Sequence, residues 1–444
     1  MYFVYSLLLS LGFLILLPRF LCDALRHGKY VAGFGERLGA LTPLKAKGGV
    51  VWLHCVSVGE SQAARPLVEE LRRRFPAYSI VVSTTTLTGQ KLARELFKNE
   101  AAKVFYFPFD WSWTVSRSLD VIRPSVVLIM ETEIWPGFMR ECARREIPVA
   151  IVNGRLSHQS FRRYQWIKGF LKKVLGDLTL AAMQTEKDAE RIRALGLAPD
   201  RVFVSGNLKF DAGNIADAGL LADEFRARFQ LTEATQLIVA ASTHAPEERL
   251  ILEAFKPAKS ATSKKPRLLL APRHPERFAE VATLLERSNL SWARRSSPAD
   301  AGDATCDVIL LDTIGELAGI YSLAYLVFVG GSIAKSGGHN ILEPAASGAA
   351  IITGAHTHNF EAIVRAFVRQ NAIVQLTSGS TVEAERELAE LFVQLLSDKQ
   401  TVEDLGQRAR QLVKQNRGAT ERTLDLLETI LRTARADNPS LTTR

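Results

Sequence analysis

VVWLHCVSVGESQAARPLVEELRRRFPAYSIVVSTTTLTGQ, residues 50–90, carries the pattern that decides the fold. Val50–Leu53 and Ile80–Ser83 are short, continuously apolar runs, and Ala63–Phe75 between them has helical periodicity. A strand apolar at every position belongs to a sheet covered on both faces, and the strand–helix–strand spacing makes that sheet parallel. The rhythm continues through Val104–Phe107, Val126–Met130, Val149–Val152, Leu180–Met183 and Val202–Val204. Residues 211–235 interrupt it and read as a connection with a short helix. It restarts with Leu237–Ala240, Arg267–Ala271, Val308–Leu311, Leu326–Val329, Ala350–Ile352 and Ile373–Gln375, and a helical C-terminal stretch follows that frays near Pro439. The pattern predicts two doubly wound α/β domains, residues 30–212 and 236–420, preceded by a segment 1–22 and followed by a helix and tail, 421–444. In such sheets ligands bind beyond the carboxyl ends of the strands, and two such domains predict a cleft between them as the site.

The 444-residue chain is 47% hydrophobic and 23% charged, which excludes a disordered or fibrous protein. Its formal charge of +9 calls for an anionic partner: nucleic acid, a membrane surface or a phosphorylated substrate. The excess is confined to the first half, where residues 1–210 hold 30 basic and 18 acidic side chains, against 26 and 29 in residues 211–444. No RNA- or DNA-reading motif accompanies it, so nucleic acid is not expected. Cys22, Cys55, Cys142 and Cys306 form no C-x-x-C pair, which argues against a disulfide framework or structural zinc. His339, His356 and His358 lack acidic or thiol companions at a recognised spacing, so no metal is expected.

MYFVYSLLLSLGFLILL, residues 1–17, carries no charged side chain. At about 1.5 Å per residue it is marginal for a hydrocarbon core of about 30 Å. No basic stretch precedes it and no small-residue cleavage site follows, which disfavours a secretory signal. Arg19, Arg26, Lys29 and Arg37 follow, and such a flank stays cytoplasmic. An uncleaved membrane anchor over residues 1–22 is expected; the alternative is an apolar helix that packs on the protein or lies in the interface. SFRRYQWIKGFLKKVLG, residues 160–176, sets Arg162, Arg163, Lys168, Lys172 and Lys173 among Phe161, Trp166, Ile167 and Phe170. That suits an anionic membrane surface, and equally an ordinary surface helix with an apolar inner face.

Several strand ends carry groups capable of chemistry. In HCVSVGE, residues 54–60, Glu60 opens a helix, and the spacing Ser57-x-x-Glu60 favours a capping box. A carboxylate there is also kept ionised by the helix dipole, the form a general base needs. STTTLTGQ, residues 83–90, is a hydroxyl-rich strand end that could bind sugar or phosphate or simply cap a turn. METEIWPGF, residues 130–138, sets Glu131 and Glu133 at i, i+2, as acid/base or sugar-binding groups or as solvated loop charges. In the second half, APRHPER (271–277) offers the planar fork of Arg273 beside His274. LDTIGEL (311–317) puts Asp312, Thr313 and Gly315 at a strand end. VFVGGSIAKSGGHNILEPAASG (327–348) is glycine-rich backbone leading into a helix, with Glu343 one turn in. Such backbone binds anions, and a nearby carboxylate can receive ribose hydroxyls. No Walker A sequence, dinucleotide fingerprint or G-x-S-x-G elbow occurs.

In order, an apolar amino terminus followed by GERLG, then HCVSVGE, STTTLTGQ, FPFDW, ETEIWP, NGRLS, SGNLKFD, ASTH with EE beyond it, APRHPER, DTIGEL and GGHNILEPAASG resemble one family. It is the 3-deoxy-D-manno-octulosonic acid (Kdo) transferases of lipopolysaccharide assembly, inverting glycosyltransferases of GT-B type. Gly137 stands where an Asn is usual, and Ala355 where Pro is expected. The resemblance implies two Rossmann-like domains facing a cleft, CMP-Kdo as donor substrate without a separate cofactor, and a lipid A precursor as acceptor. It also implies work at the cytoplasmic face of the inner membrane, whose anionic surface would meet the basic first half. Glu60 becomes the general base that deprotonates the acceptor hydroxyl. The implied donor-side residues are Lys209, Ser242, Arg273, His274, Asp312, Gly315, Glu316, Gly331, Ser332, Gly338, His339, Asn340 and Glu343. Among them Arg273 and His274 face the phosphate, while Glu343 and the glycine-rich backbone hold the CMP. Ser83, Thr84, Glu131, Glu133 and Arg155 are the acceptor-side candidates. Another nucleotide-sugar enzyme of the same architecture, a UDP-sugar transferase or 2-epimerase, is the alternative.

Overall fold

A computed structural model of the chain describes all residues except 28–32, 45, 47, 212–217, 233, 263 and 437–444, and omits the side chains of 19–27 and 434–436. The side chains of Arg19, Cys22 and Arg26, together with Lys29, residues 212–217 and 233 of the 211–235 connection, and Pro439 lie outside what is described; within that connection the expected short helix forms over Ala218–Arg228.

The chain forms two compact units, residues 1–212 with 416–444, and residues 213–415. In the first, β1 (Val50–His54), β2 (Ser79–Thr84), β3 (Lys103–Tyr106), β4 (Val126–Met130), β5 (Val149–Gly154), β6 (Leu180–Met183) and β7 (Val202–Val204) make one sheet ordered β3-β2-β1-β4-β5-β6-β7. Every neighbouring pair is parallel. Both faces of this sheet are buried: Val50 and Trp52 enter one core with Val127 and Ile129, while Val51 and Leu53 enter the other with Leu128 and Met130. That is why the strands read as unbroken apolar runs. Helix Ala419–Ala436 belongs to the first unit, rather than following the second domain as a separate helix and tail, and covers part of the second face. Leu424, Leu427 and Leu431 join that core, and Tyr78 donates to the Leu431 carbonyl at 2.5 Å.

The second unit repeats the plan with β8 (Leu237–Thr243), β9 (Arg267–Pro272), β10 (Trp292–Arg294), β11 (Val308–Leu310), β12 (Leu326–Val329), β13 (Ala350–Thr353) and β14 (Val374–Gln375). They form a parallel sheet ordered β10-β11-β9-β8-β12-β13-β14. Only β10 lacks a counterpart in the sequence reading. It is three residues long, half-buried and at the sheet edge, so no apolar run marks it.

The amino terminus corrects the expectation of a spanning anchor. Helix Tyr2–His27 forms, but among the described residues no helix is long and apolar enough to cross a membrane. One face of it docks on the first unit instead. Tyr2 and Tyr5 donate to Asp177 and Asp110 at 2.8 and 2.7 Å, Ser10 accepts from Trp111, and Phe13 packs edge-on to Phe109 and Trp111. The opposite face, with Phe3 (80% exposed), Leu8, Leu11, Leu14 and Ile15 (76%), stays open.

Candidate active site

In each sheet the chain winds outward in both directions from a central strand pair, β1/β4 in the first and β8/β12 in the second. A crevice opens where strand order reverses, at the carboxyl edge. The motif-bearing loops follow those very strands.

In the first unit Glu60 follows β1 and is 6% exposed. Ser57 caps helix Val58–Arg74, and the Glu60 carboxylate accepts from the Val56 amide (2.8 Å) and the Ser57 hydroxyl (2.9 Å). Glu60 thus does much of the work of a cap, as its spacing predicted. Burial nevertheless pushes its pKa up to about 8, with Glu131 and, less strongly, Glu133 adding negative charge nearby; the two hydrogen bonds oppose the rise. Against the expectation of a carboxylate kept ionised by the helix dipole, burial thus holds the Glu60 proton to a higher pH than in an ordinary carboxyl, and the base form appears as the pH approaches about 8. Glu131 follows β4 directly with a left-handed backbone (φ 54°), and burial, then Glu131, raises the Glu133 pKa. Arg155 follows β5 and is exposed, and its amide donates to Thr132 in the loop between the two acids.

Two of the acceptor-side candidates are inaccessible. Ser83 and Thr84 are fully buried. The Ser83 hydroxyl accepts from Trp52 and meets His54, and Thr84 donates to Gln90, so neither hydroxyl faces an incoming sugar. His54 was not singled out from the sequence. It is buried and stacked 3.8 Å from Phe107, and desolvation lowers its pKa to about 3, which keeps the ring neutral. Lys209 belongs to this unit, in the turn Leu208–Asp211.

In the second unit a cluster of nitrogen groups gathers beyond β8, β9 and β12. Arg273 and His274 are exposed just after β9, and the Arg273 amide donates to the Thr243 carbonyl. His244 lies with its Nε2 2.8 Å from that of His339, rings stacked, and His274 meets it edge-on. Two nitrogens at that distance share one proton, so the pair is stable as neutral rings. Burial is the main cause that lowers both pKa values, His339 to about 4, with His244, Arg273 and His274 adding to it at His339. Asn340 donates to Glu343, whose pKa burial raises.

Other donor-side candidates are already engaged. Asp312 accepts from the Ser296 amide and hydroxyl, and Glu316 from Arg295 at 2.9 and 3.1 Å and from Thr313. The amides of Gly331 and Ser332, expected to face the donor, are spent on Glu247. That buried carboxylate accepts five backbone N–H bonds, from His244, Gly331, Ser332, Ile333 and Ala334, at 2.7–3.0 Å. It fills the anion nest from within. A Cβ on Gly330 would lie 2.6 Å from the Ser242 carbonyl, so only glycine lets the β8 and β12 loops approach this closely. Ser242 itself has a left-handed backbone, φ 54°. Gly315, Gly337 and Gly338 also have positive φ. Neither His244 nor Glu247 was picked out from the sequence, although ASTH and EE bracket them.

A protein-family model described as 3-deoxy-D-manno-octulosonic-acid transferase (kdotransferase) matches residues 32–212. The chain is 36% identical to a 3-deoxy-D-manno-octulosonic acid transferase of Haemophilus influenzae, over 86% of this chain and 87% of that one. It is 33% identical to the enzyme of the same name from Bordetella pertussis, over 89% and 90%. Among solved structures, MurG of Acinetobacter baumannii (TM-score 0.53, 14% identity) matches 86% of this chain and 99% of its own. UDP-GlcNAc 2-epimerase of Neisseria meningitidis (TM-score 0.53, 14% identity) matches 86% and 100%. These two share the fold.

Proposed function

The chain belongs to the Kdo transferase family of lipopolysaccharide biosynthesis, and from that premise we propose that Glu60 is the general base for transfer of Kdo from CMP-Kdo to a lipid A precursor of lipid IVA type. The Glu60 carboxylate takes the acceptor hydroxyl proton, and that oxygen bonds to the anomeric carbon of Kdo. The bond from this carbon to the phosphate breaks, and CMP leaves with the electron pair. Attack from the face opposite the leaving group inverts the anomeric centre. The observation that carries this reading is a carboxyl at the β1/β4 crevice with its pKa moved to about 8, close to a working pH. Glu131, Glu133 and Arg155 lie on the neighbouring loops and suit the acceptor's hydroxyl and phosphate groups.

For the donor, Arg273 supplies positive charge for the one phosphate, with His274 beside it, and the His244–His339 pair, neutral when the site is empty, can take up a proton as the phosphate arrives. Glu343 and Asn340 suit the ribose, and no further cofactor enters the scheme. The enzyme would work on the anionic cytoplasmic face of the inner membrane, its N-terminal helix lying in the surface. The docked side of that helix meets Phe170 and Trp111, whose own segments carry the exposed Trp166, Ile167, Lys168, Lys172 and Lys173 and the exposed Trp113, groups suited to an anionic interface.

The test is incubation of the full chain with CMP-Kdo and a lipid IVA-type precursor, read by product mass and CMP release. Kdo-extended lipid with free CMP is expected, with inhibition by CMP and not by UDP. Consumption of a UDP-sugar, with CMP-Kdo untouched, would favour the UDP-sugar enzyme instead.

A further inference from the structure

Two hydrogen-bond chains run from the N-terminal helix to helix Pro136–Arg144, each through a carboxylate. In the first, Tyr5 donates to Asp110 Oδ2 at 2.7 Å, and the same carboxylate accepts from the Gly137 amide (2.8 Å) and the Phe138 amide (2.6 Å). Those are two of the unpaired amides that open the helix, so buried Asp110 serves as its cap from a distant loop. In the second, Tyr2 donates to Asp177 Oδ2, while Asp177 Oδ1 accepts from Arg140 in the same helix at 3.1 Å, and the Arg140 guanidinium lies 5.5 Å over the Tyr2 ring.

The grip depends on close approach. A Cβ on Gly137 would stand 2.4 Å from the Asp110 carbonyl oxygen. Glycine at 137 therefore leaves room for this helix to seat on Asp110. The segment immediately before the helix is Glu131–Trp135, the acidic loop beside Glu60. Trp135 at its end packs 5.3 Å from Phe107, and Phe138 packs 5.2 Å from Trp52. A rigid helix start fixes where the preceding few residues can go, because the backbone has only two soft torsions per residue.

We propose that the N-terminal helix is a positioning element of the acceptor site, which holds helix Pro136–Arg144, and with it the Glu131–Trp135 loop, through Tyr2–Asp177 and Tyr5–Asp110. Tyr2, Tyr5, Asp110 and Asp177 are positioning residues. They touch no substrate and act through the loop. A membrane surface that receives the outer face of the helix then also steadies the loop that meets the lipid. The proposal rests on the reading of that loop as acceptor-side.

The test uses the full chain bound to anionic phosphatidylglycerol vesicles and the double variant Tyr2→Phe/Tyr5→Phe. It keeps both rings and the apolar outer face and removes only the two hydroxyls. Expected are unchanged vesicle binding, unchanged KM for CMP-Kdo, and a fall of about tenfold in kcat/KM for the lipid acceptor. Amide hydrogen exchange over residues 131–144 should rise several-fold, with residues 237–353 unaffected; this readout needs no activity and stands even if the acceptor is another molecule. Unchanged exchange over 131–144 would overturn the proposal. So would a loss of acceptor turnover that merely tracks a loss of vesicle binding, since the helix would then be a tether alone. Asp110→Asn, which keeps one carbonyl acceptor for the Phe138 amide, should give the same pattern in weaker form, and wild-type kinetics and exchange in that variant would count equally against it.

Discussion

Glu60→Gln should stabilise the first unit at alkaline pH while it removes the group that takes the acceptor proton. The folded protein holds the Glu60 carboxyl at about 8, mainly through burial and then through Glu131, against an ordinary value of 4.5. The folded state therefore binds this proton more tightly than the unfolded state. Stability falls as pH rises from about 4.5 to about 8, and the loss is complete above the folded value. A displacement of that size corresponds to about 5 kcal/mol, an upper bound for a group at the mouth of a crevice. Gln keeps an oxygen for the Val56 amide, but Ser57 must turn its hydroxyl to accept, which costs about 1 kcal/mol. A net gain of about 2–4 kcal/mol is expected at pH 9 and none at pH 5, equivalent to about 5–10 °C in Tm for a unit of this size. Calorimetric melts of both proteins from pH 5 to 9 read the difference directly. A gap between them that does not change with pH, or a wild type that is the more stable at pH 9, would mean that Glu60 does not hold its proton through burial.

Glu131→Gln removes the second cause of the raised Glu60 value, so the acid limb of the kcat/KM profile should move to lower pH, whatever happens to the maximal rate. An unmoved limb would separate the two carboxyls. CMP binding should take up protons near pH 6, because an arriving phosphate favours the charged form of the His244–His339 pair that burial and Arg273 now hold neutral; calorimetry in buffers of different ionisation enthalpy measures it, and zero uptake would remove the pair from the donor site. Glu247→Ala leaves five buried amides without an acceptor, and should cost several kcal/mol in the second unit and weaken CMP binding at least tenfold. A CMP Kd equal to wild type would show that the loop holds its shape without the carboxylate.

The alternation of apolar runs made the two sheets legible because parallel strands bury both faces, as Val51 and Trp52 do. The edge strand Trp292–Arg294 left no such trace. Residues 1–17 read as a span because hydropathy ignores direction. Their tyrosines, Tyr2 and Tyr5, are three apart on one helix face and mark the docked side, a signal that periodicity could have supplied. Glu60 was visible as a cap by spacing, and its role as a base came from the family resemblance; the crevice shows one side chain with the bonds of the first and the pKa suited to the second. What no one-dimensional reading could supply is which hydroxyls and amides are already spent. Ser83 sits under Trp52, and the amides of 331–334 answer to Glu247 from the start of a helix about 85 residues earlier.

The most direct test of the account is the single-turnover rate of Kdo transfer from CMP-Kdo to a lipid IVA-type acceptor by wild type and by Glu60→Gln at pH 8, with CMP affinity measured in parallel. A loss of about 10²–10⁴-fold in transfer with CMP affinity unchanged is predicted. Transfer by the variant within a few-fold of wild type would contradict Glu60 as the base.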